Sequence, residues 1–469
     1  MSGKRRESDA LGEVEIDADA GWSAQTQRAL THFAIGDETM PVEWVRALLL
    51  LKGACAAVNA RQGRLPAAMA QAIQEAVDAV LAGEQGWPFP LSPWQSGSGT
   101  QSHMNVNEVL ARVAAQRLGG TTRVHPNDHV NLGQSSNDMV PSAMHVAVLT
   151  ALHERLQPAL AALVASLQVQ AAAHAMLIKL GRTHLQDAVP LTVGQEVGAW
   201  RSALLEAGAA IDANAPALRA LAVGGTAVGT GLNTTAGFGA EVCRELARRT
   251  GIAWTVAPDR FAALAGHEPL VALHGALKVL AVALMRVAND LRLLASGPRC
   301  GLGEWVLPAN EPGSSIMPGK VNPTQCEALL MVACQVVGND LAVTMGAAAG
   351  HLQLNTCKPL ITVNVLRSIR LLADVIASFE QYTVREMAPD PQRIGQLLHG
   401  SLMLVTALTP YVGYDRAAAI AHRAHAGRTT LRDAAIAEGV EAADFDRWTD
   451  PTRMIAPLPD PPAAPPFAR

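Results

Sequence analysis

The chain has 469 residues, 49% of them hydrophobic and 17% charged, with a formal net charge of −4. That length leaves room for two or three domains, and the mild negative charge argues against a general nucleic-acid surface or a basic membrane footprint. Six cysteines are scattered without a C-x-x-C pair, the pattern of reduced thiols in a cytoplasmic protein rather than of a disulfide framework or zinc site.

The N-terminus, Met1 to Asp9, carries Lys4, Arg5 and Arg6 but no apolar h-region, so it does not read as a signal peptide. A region of shorter helices and loops follows, including the Pro/Gly-rich stretch Gly86–Trp94. The middle of the chain then reads as long helices: Ala143 to Ala175, Gly194 to Ala222, Leu270 to Ser296, Gln325 to Ala347 and Leu360 to Tyr382. In the third, His274, Lys278, Arg286, Asn289, Asp290 and Arg292 interrupt the apolar run, which denies it a clean membrane span of about 20 apolar residues. It is nevertheless apolar on more than one face, which implies burial on several sides.

Period-2 runs of β-branched residues are scarce, and the fold class is all-α. Helices of this length reach about 35–50 Å, and five of them present more apolar surface than one subunit covers. A homo-oligomer formed through the bundle is therefore expected. After about Arg385 the pattern returns to short helices, and the Pro/Ala-rich tail from Pro457 to Arg469 is expected to be poorly ordered.

Four polar clusters stand out. The first is Gly97-Ser-Gly-Thr-Gln-Ser-His-Met-Asn-Val-Asn107, the second His125-Pro-Asn-Asp-His-Val-Asn-Leu-Gly-Gln-Ser-Ser-Asn-Asp138, and the third Gly181-Arg-Thr-His-Leu-Gln-Asp187. The fourth, Gly313-Ser-Ser-Ile-Met-Pro-Gly-Lys-Val-Asn-Pro323, is kept out of helix or strand by its glycines and prolines and predicts an irregular, mobile loop. It carries a hydroxyl (Ser314 or Ser315), the Lys320 cation and the Asn322 carboxamide. That set can hold a carboxylate by charge-assisted hydrogen bonds while an oxygen reaches a neighbouring proton.

Thr100, Ser135, Ser136, Asn137 and Thr183 add neutral donors for carboxylate oxygens. His184 is the natural proton carrier, with Glu327 a partner to orient it. Each has a plainer alternative: Thr183-His184 as a cap or a satisfied core histidine, Ser135 to Asp138 as an N-cap run. The coincidence of all four clusters favours a site. Gly224-Gly-Thr-Ala-Val-Gly-Thr-Gly-Leu-Asn233 lacks the βαβ setting of a dinucleotide fingerprint and reads as a tight interhelical loop. No metal-ligand spacing is present, and no metal or cofactor is expected.

With these residues the chain resembles the aspartase/fumarase superfamily, whose signature the loop 313–323 matches. Gly97 to Ser102, Met104-Asn-Val-Asn-Glu108, Gln134-Ser-Ser-Asn137, Gly181 to Asp187 and Ser296-Gly-Pro-Arg-Cys-Gly301 resemble the class II fumarases within it. The likeness runs from about Trp22 to Trp448. It implies a three-domain all-α fold with boundaries at 1–136, 137–387 and 388–469. It further implies a homotetramer whose central five-helix bundles pool into a 20-helix core, with each active site shared by three subunits.

The implied reaction is reversible hydration of fumarate to L-malate without a metal or organic cofactor. Ser314 matches the family's base, and Lys320 and Asn322 the residues that bind the carboxylate which becomes the aci-carboxylate. Thr100, Ser135, Ser136, Asn137 and Thr183 match the residues that hold the carboxylates and water, and His184 with Glu327 the pair that handles the water proton. His125, Asn127 and Asp128 match a secondary dicarboxylate site, although the cluster also reads as a capping turn before the helix at Met139. Two positions depart from the pattern: His103 replaces a usual asparagine, and Thr122 replaces a basic residue that Arg123 could supply. The alternative activities are an ammonia-lyase acting on aspartate or a related amino acid, and a non-catalytic structural descendant.

Overall fold

The computed structural model describes residues 3–457; the Pro/Ala-rich tail expected to be poorly ordered lies, from residue 458 on, outside the described residues. Helices dominate, and the all-α reading holds. Among the described residues, strands occur only as two-stranded pairs. Two of these are hairpins, β1 (Lys4–Asp9) with β2 (Gly12–Asp17) and β3 (Ile178–Thr183) with β4 (Gln186–Thr192), both antiparallel.

The chain divides into two compact units. The first comprises residues 1–159, 207–282 and 332–374, the second 160–206, 283–331 and 375–469. Unit 1 holds β1–β2 and the helices α1 (Ala24–His32), α2 (Val42–Arg61), α3 (Ala67–Leu81), α4 (Thr100–Arg117) and α5 (Ser136–Ala151). Its centre is α2, apolar on nearly every face and accordingly buried along most of its length, with Trp44, Leu48, Leu49 and Leu51 sealed against α3, α5 and α9 (Phe238–Thr250).

Five helices contribute residues to both units: α6 (Gln157–Ala173), α7 (Val193–Asp212), α11 (Glu268–Leu294), α12 (Thr324–Ala348) and α13 (Lys358–Phe379). They correspond to the five long stretches read from the sequence. The first begins earlier than expected, because Ser135 caps α5, which passes through a π-turn at Leu152–Leu156 into α6. The second ends earlier: Pro216 cannot continue a helix and opens the separate four-residue α8 (Ala215–Leu218). A short α10 (Arg260–Ala265) precedes α11.

By length and composition alone, Ser136–Ala173, Glu268–Leu294 and Thr324–Ala348 could cross a membrane. Polar partners inside unit 1 oppose that for the second of them. There the buried His274 sits 3.0 Å from Asp340 and 2.8 Å from Ser368, and Asp340 also takes Lys278. The exposed apolar residues lie on the helix faces instead: Val279 and Val282 on α11, Met331, Leu341 and Met345 on α12, the last three 62–69% exposed.

Unit 2 holds β3–β4 and the C-terminal helices α14 (Pro391–Gly400), α15 (Thr409–Val412), α16 (Tyr414–Gly427), α17 (Leu431–Ala437) and α18 (Ala442–Trp448). Leu408, Ile420, Leu431 and Phe445 form its small core, and Tyr411 stacks on Trp448 with ring centroids 4.1 Å apart. β3 packs on α14, and β4 on the 3-10 segment Leu402–Leu408. This hairpin was not anticipated from the sequence, and it carries the third polar cluster.

Candidate active site

Two helix N-termini in unit 1 present the neutral donors. Thr100 is the first residue of α4, preceded by Gly99 in the left-handed region at φ 75°. A hydroxyl chain, Ser96 to Ser98 to Thr100, runs with 2.8 Å spacings. Gly97 has no room for a β-carbon because the Thr356 carbonyl occupies that place, so the first cluster needs glycine there. Ser136 is the first residue of α5, and Ser135 is its N-cap, accepting from the Asn137 N–H at 3.2 Å. The N-cap reading of this run therefore holds. The first-turn N–H groups and helix dipole at both ends favour an anion.

Asp138 locks α5 in place. It is fully buried and accepts backbone N–H bonds from Ser135 (2.9 Å), Gly224 (2.9 Å) and Thr226 (3.1 Å). The glycine-rich loop 224–233 thus spends two of its N–H groups on this carboxylate, as a structural loop should. Burial pushes the Asp138 carboxyl up to about 6, against the pull of its three N–H donors and Lys52. Asn137 is held by its own carboxamide, which donates to Ala227 O at 2.8 Å.

Behind Ser136 lies a polar group that sequence reasoning did not place. Lys52 and His103 are both fully buried. Lys52 Nζ sits 2.7 Å from His103 Nε2 and 2.8 Å from both Asn131 Oδ1 and Gln134 Oε1. His103 Nδ1 is 2.8 Å from Ser136 Oγ. The departure at His103 is therefore an interior contact with a candidate site residue, not a surface variation. The available signal was Lys52 itself, a single cation inside the apolar run Leu48-Leu-Leu-Leu-Lys-Gly53. A buried ammonium requires acceptors around it.

In unit 2, Thr183 ends β3, and His184 and Leu185 form the hairpin turn with φ 56° and 61°. Both central residues of such a tight turn are left-handed, a position usually filled by Asn-Gly. A histidine and a leucine there carry backbone strain. Below the tip, Lys179 Nζ lies 2.7 Å from both Glu196 Oε1 and Glu304 Oε2, and Arg182 Nη2 is 2.8 Å from Glu304 Oε1. Lys179 and Glu304 are sealed from solvent, whereas Thr183 and His184 are exposed.

The loop 313–323 is irregular, as its glycines and prolines require. A bridge between Gly313 and Pro318 pinches its base, Lys320 N–H donates to Met317 O at 3.2 Å, and Ser314 Oγ accepts from the Ile316 N–H at 3.4 Å. Lys320 is exposed, Ser314 and Asn322 half-buried, and Ile316 is 83% exposed at the tip. Glu327 stands exposed on the first turn of α12. Among the described residues of one chain, no ion pair joins His184 to Glu327.

The second dicarboxylate candidates divide between two clefts of unit 1. His125 and Asn127 line one of about 750 Å³ with Arg5, Arg112 and Arg123. Asn127 and Asp128 line another of about 700 Å³ with Arg64, Gln134 and Ser135. The capping alternative is present too: His125 Nδ1 accepts the N–H groups of Asn127 and Asp128 at 3.2 and 3.1 Å. Thr100 opens on a third cleft of about 350 Å³ that includes Gln25, Arg28 and His32.

Comparison with known proteins supplies the remaining context. The lyase family model matches residues 12–338, and the model of the fumarase C C-terminus matches residues 404–456. The chain is 56% identical over 456 residues to fumarate hydratase class II 1 of Pseudomonas aeruginosa, covering 96% of this chain and 98% of that one. A fumarate hydratase class II of Chromobacterium violaceum is also 56% identical over 456 residues, covering 96% and 99%. Among solved structures, the class II fumarase from Schistosoma mansoni matches with a TM-score of 0.94 at 43% identity, over 96% of this chain and 99% of that one.

Proposed function

Since the chain belongs to the class II fumarases of the lyase family, we propose that its site carries out the reversible, stereospecific hydration of fumarate to L-malate. The observation that carries this reading is the near full-length match to fumarate hydratases, at 56% identity over 456 residues.

In the malate-to-fumarate direction, Ser314 removes the proton from the carbon next to one carboxylate. The electron pair enters that carboxylate as an aci-carboxylate, and hydroxide leaves from the neighbouring carbon. Lys320 and Asn322 face the developing dianion, where donors and positive charge stabilise the transition state most. Thr100, Ser135, Ser136, Asn137 and Thr183 hold the carboxylates and the water. His184, oriented by Glu327, gives the departing hydroxide its proton. A serine hydroxyl is a weak base, so its activation is coupled to loop closure around Lys320.

The chain works as a homotetramer in this reading. Its α6, α7, α11, α12 and α13 form the five-helix bundle of a 20-helix core, and three subunits share each site. The exposed Met331, Leu341 and Met345 support that packing. So do an exposed His184 and Glu327 with no ion pair between them among the described residues, since each is free to meet its partner from another subunit. The three-domain division at 136/137 and 387/388 belongs to the same proposal, as does a second dicarboxylate site at His125, Asn127 and Asp128. Work in the cytoplasm without a metal or cofactor completes it, and the six cysteines are all free thiols.

The test is the rate of fumarate hydration in Ser314→Ala and His184→Asn. Each should lose about a hundredfold to ten-thousandfold in kcat with an unchanged far-ultraviolet dichroism spectrum. Near-normal kcat in Ser314→Ala would remove it as the base.

A further inference from the structure

We infer that His103 is a positioning residue for this reaction, donating from Nδ1 to Ser136 Oγ so that the Ser136 hydroxyl proton is left free for a substrate carboxylate. The inference rests on reading Ser136 as a substrate-binding residue.

The direction of the chain follows from counting donors. Asn131 gives its carboxamide N–H to Gln134 O at 3.2 Å, and Gln134 gives its own to Val130 O and Leu132 O at 3.1 and 3.2 Å. Both side chains therefore turn their oxygens toward Lys52. Below about pH 7 Lys52 is an ammonium, with three donors and no acceptor, so two protons go to those oxygens and the third points at His103 Nε2, 2.7 Å away. That nitrogen must accept and is bare, which puts the imidazole proton on Nδ1. Nδ1–H then donates to Ser136 Oγ at 2.8 Å.

Protonating Nε2 as well would set an N–H against the ammonium inside a sealed pocket. Burial and the Lys52 charge accordingly hold the His103 imidazole well below its ordinary range. The Ser136 hydroxyl has no other hydrogen-bond partner among the described residues, and it opens α5, whose first-turn N–H groups and dipole favour an anion. A hydroxyl that already accepts from a polarised donor is a stronger donor itself. The buried Lys52 charge thus reaches the site through two neutral groups and adds no second cation beside the carboxylate.

Two substitutions separate this role from simple packing. In His103→Asn the carboxamide sits where Nδ1 was, keeping a donor for Ser136 and losing Lys52. In His103→Gln it sits where Nε2 was, keeping the acceptor for Lys52 and losing Ser136. Steady-state kinetics in both directions, on the acid side of neutrality, should show KM rising roughly tenfold in His103→Gln and in Ser136→Ala, with a much smaller change in kcat. His103→Asn should recover most of the loss, and the Ser136→Ala/His103→Gln double variant should be no worse than either single one.

The reverse order, with His103→Gln parent-like and His103→Asn impaired, would overturn the inference by showing that His103 serves only Lys52. A parent-like KM in Ser136→Ala would instead remove Ser136 from the substrate site, and the inference with it. A measurement without substitution stands beside these. In protein carrying isotope-labelled histidine, nitrogen spectra on the acid side of neutrality should show His103 protonated at Nδ1 and bare at Nε2, and the opposite tautomer there would overturn the proposal.

Discussion

The carbonyl oxygen of Lys320 occupies the space that a β-carbon on Gly313 would need. The two residues close the base of the loop that carries Ser314, and Gly313 does so in the left-handed region at φ 83°. Both conditions require glycine. Gly313→Ala should therefore open the loop base and lower kcat by at least tenfold. Its melting temperature should stay near the parent's, because the loop is exposed. Parent-like kcat would mean the loop's closure does not position Ser314.

Lys52 makes stability depend on pH in a defined direction. Burial pushes its ammonium down to about 7 from an ordinary 10.5, with Cys55 and Asp138 pulling the other way. Between those values the folded chain binds fewer protons at this group than the unfolded one, so its contribution to stability rises with pH across that window. Lys52→Met removes the contribution and strands the oxygens of Asn131 and Gln134. The variant should be less stable by about 2–4 kcal/mol, and its deficit should widen from neutral pH toward pH 10. Parallel pH profiles in denaturant melts would contradict the assignment.

The His184 turn depends on a buried charge cluster at the hairpin base. Lys179 bridges Glu196 and Glu304, and Arg182 holds the other oxygen of Glu304. Removing one member of a buried ion cluster costs about 3–5 kcal/mol. Lys179→Met should lose that much stability, and kcat should fall further than unfolding alone explains, because the strained turn loses its support. Lys179→Met with parent-like melting would show that the cluster does not hold the hairpin.

The apolar face of α12 tests the assembly. Met331, Leu341 and Met345 are 62–69% exposed in a single chain, and an aspartate among them would be buried unpaired in a tetramer. Leu341→Asp and Met345→Asp should dissociate the protein in sedimentation velocity and abolish hydration together, as the proposed sharing of sites between subunits requires. Full activity from a monomer would contradict shared sites.

Much of this was legible in the sequence because the long helices are driven by apolar patterning. The stretch read as 270–296 is found at Glu268–Leu294, and that read as 325–347 at Thr324–Ala348. The irregular loop was equally plain, since Gly313, Pro318, Gly319 and Pro323 permit little else. The β3–β4 hairpin was not. Gly181 and Pro190 break its alternation, its turn is His-Leu rather than Asn-Gly, and its support comes from Glu196 and Glu304, distant in sequence. His103 stood out only as a departure from the family pattern; its contacts escaped, because they depend on which side of α4 meets Lys52 and Ser136, a matter of tertiary packing.

The most direct test of the account is the ultraviolet absorbance of fumarate when purified protein meets L-malate, with L-aspartate in a parallel cell. The account predicts a rise with malate that chelator does not diminish, and none with aspartate. A rise with aspartate accompanied by ammonia, or silence with malate from a folded oligomer, would contradict it.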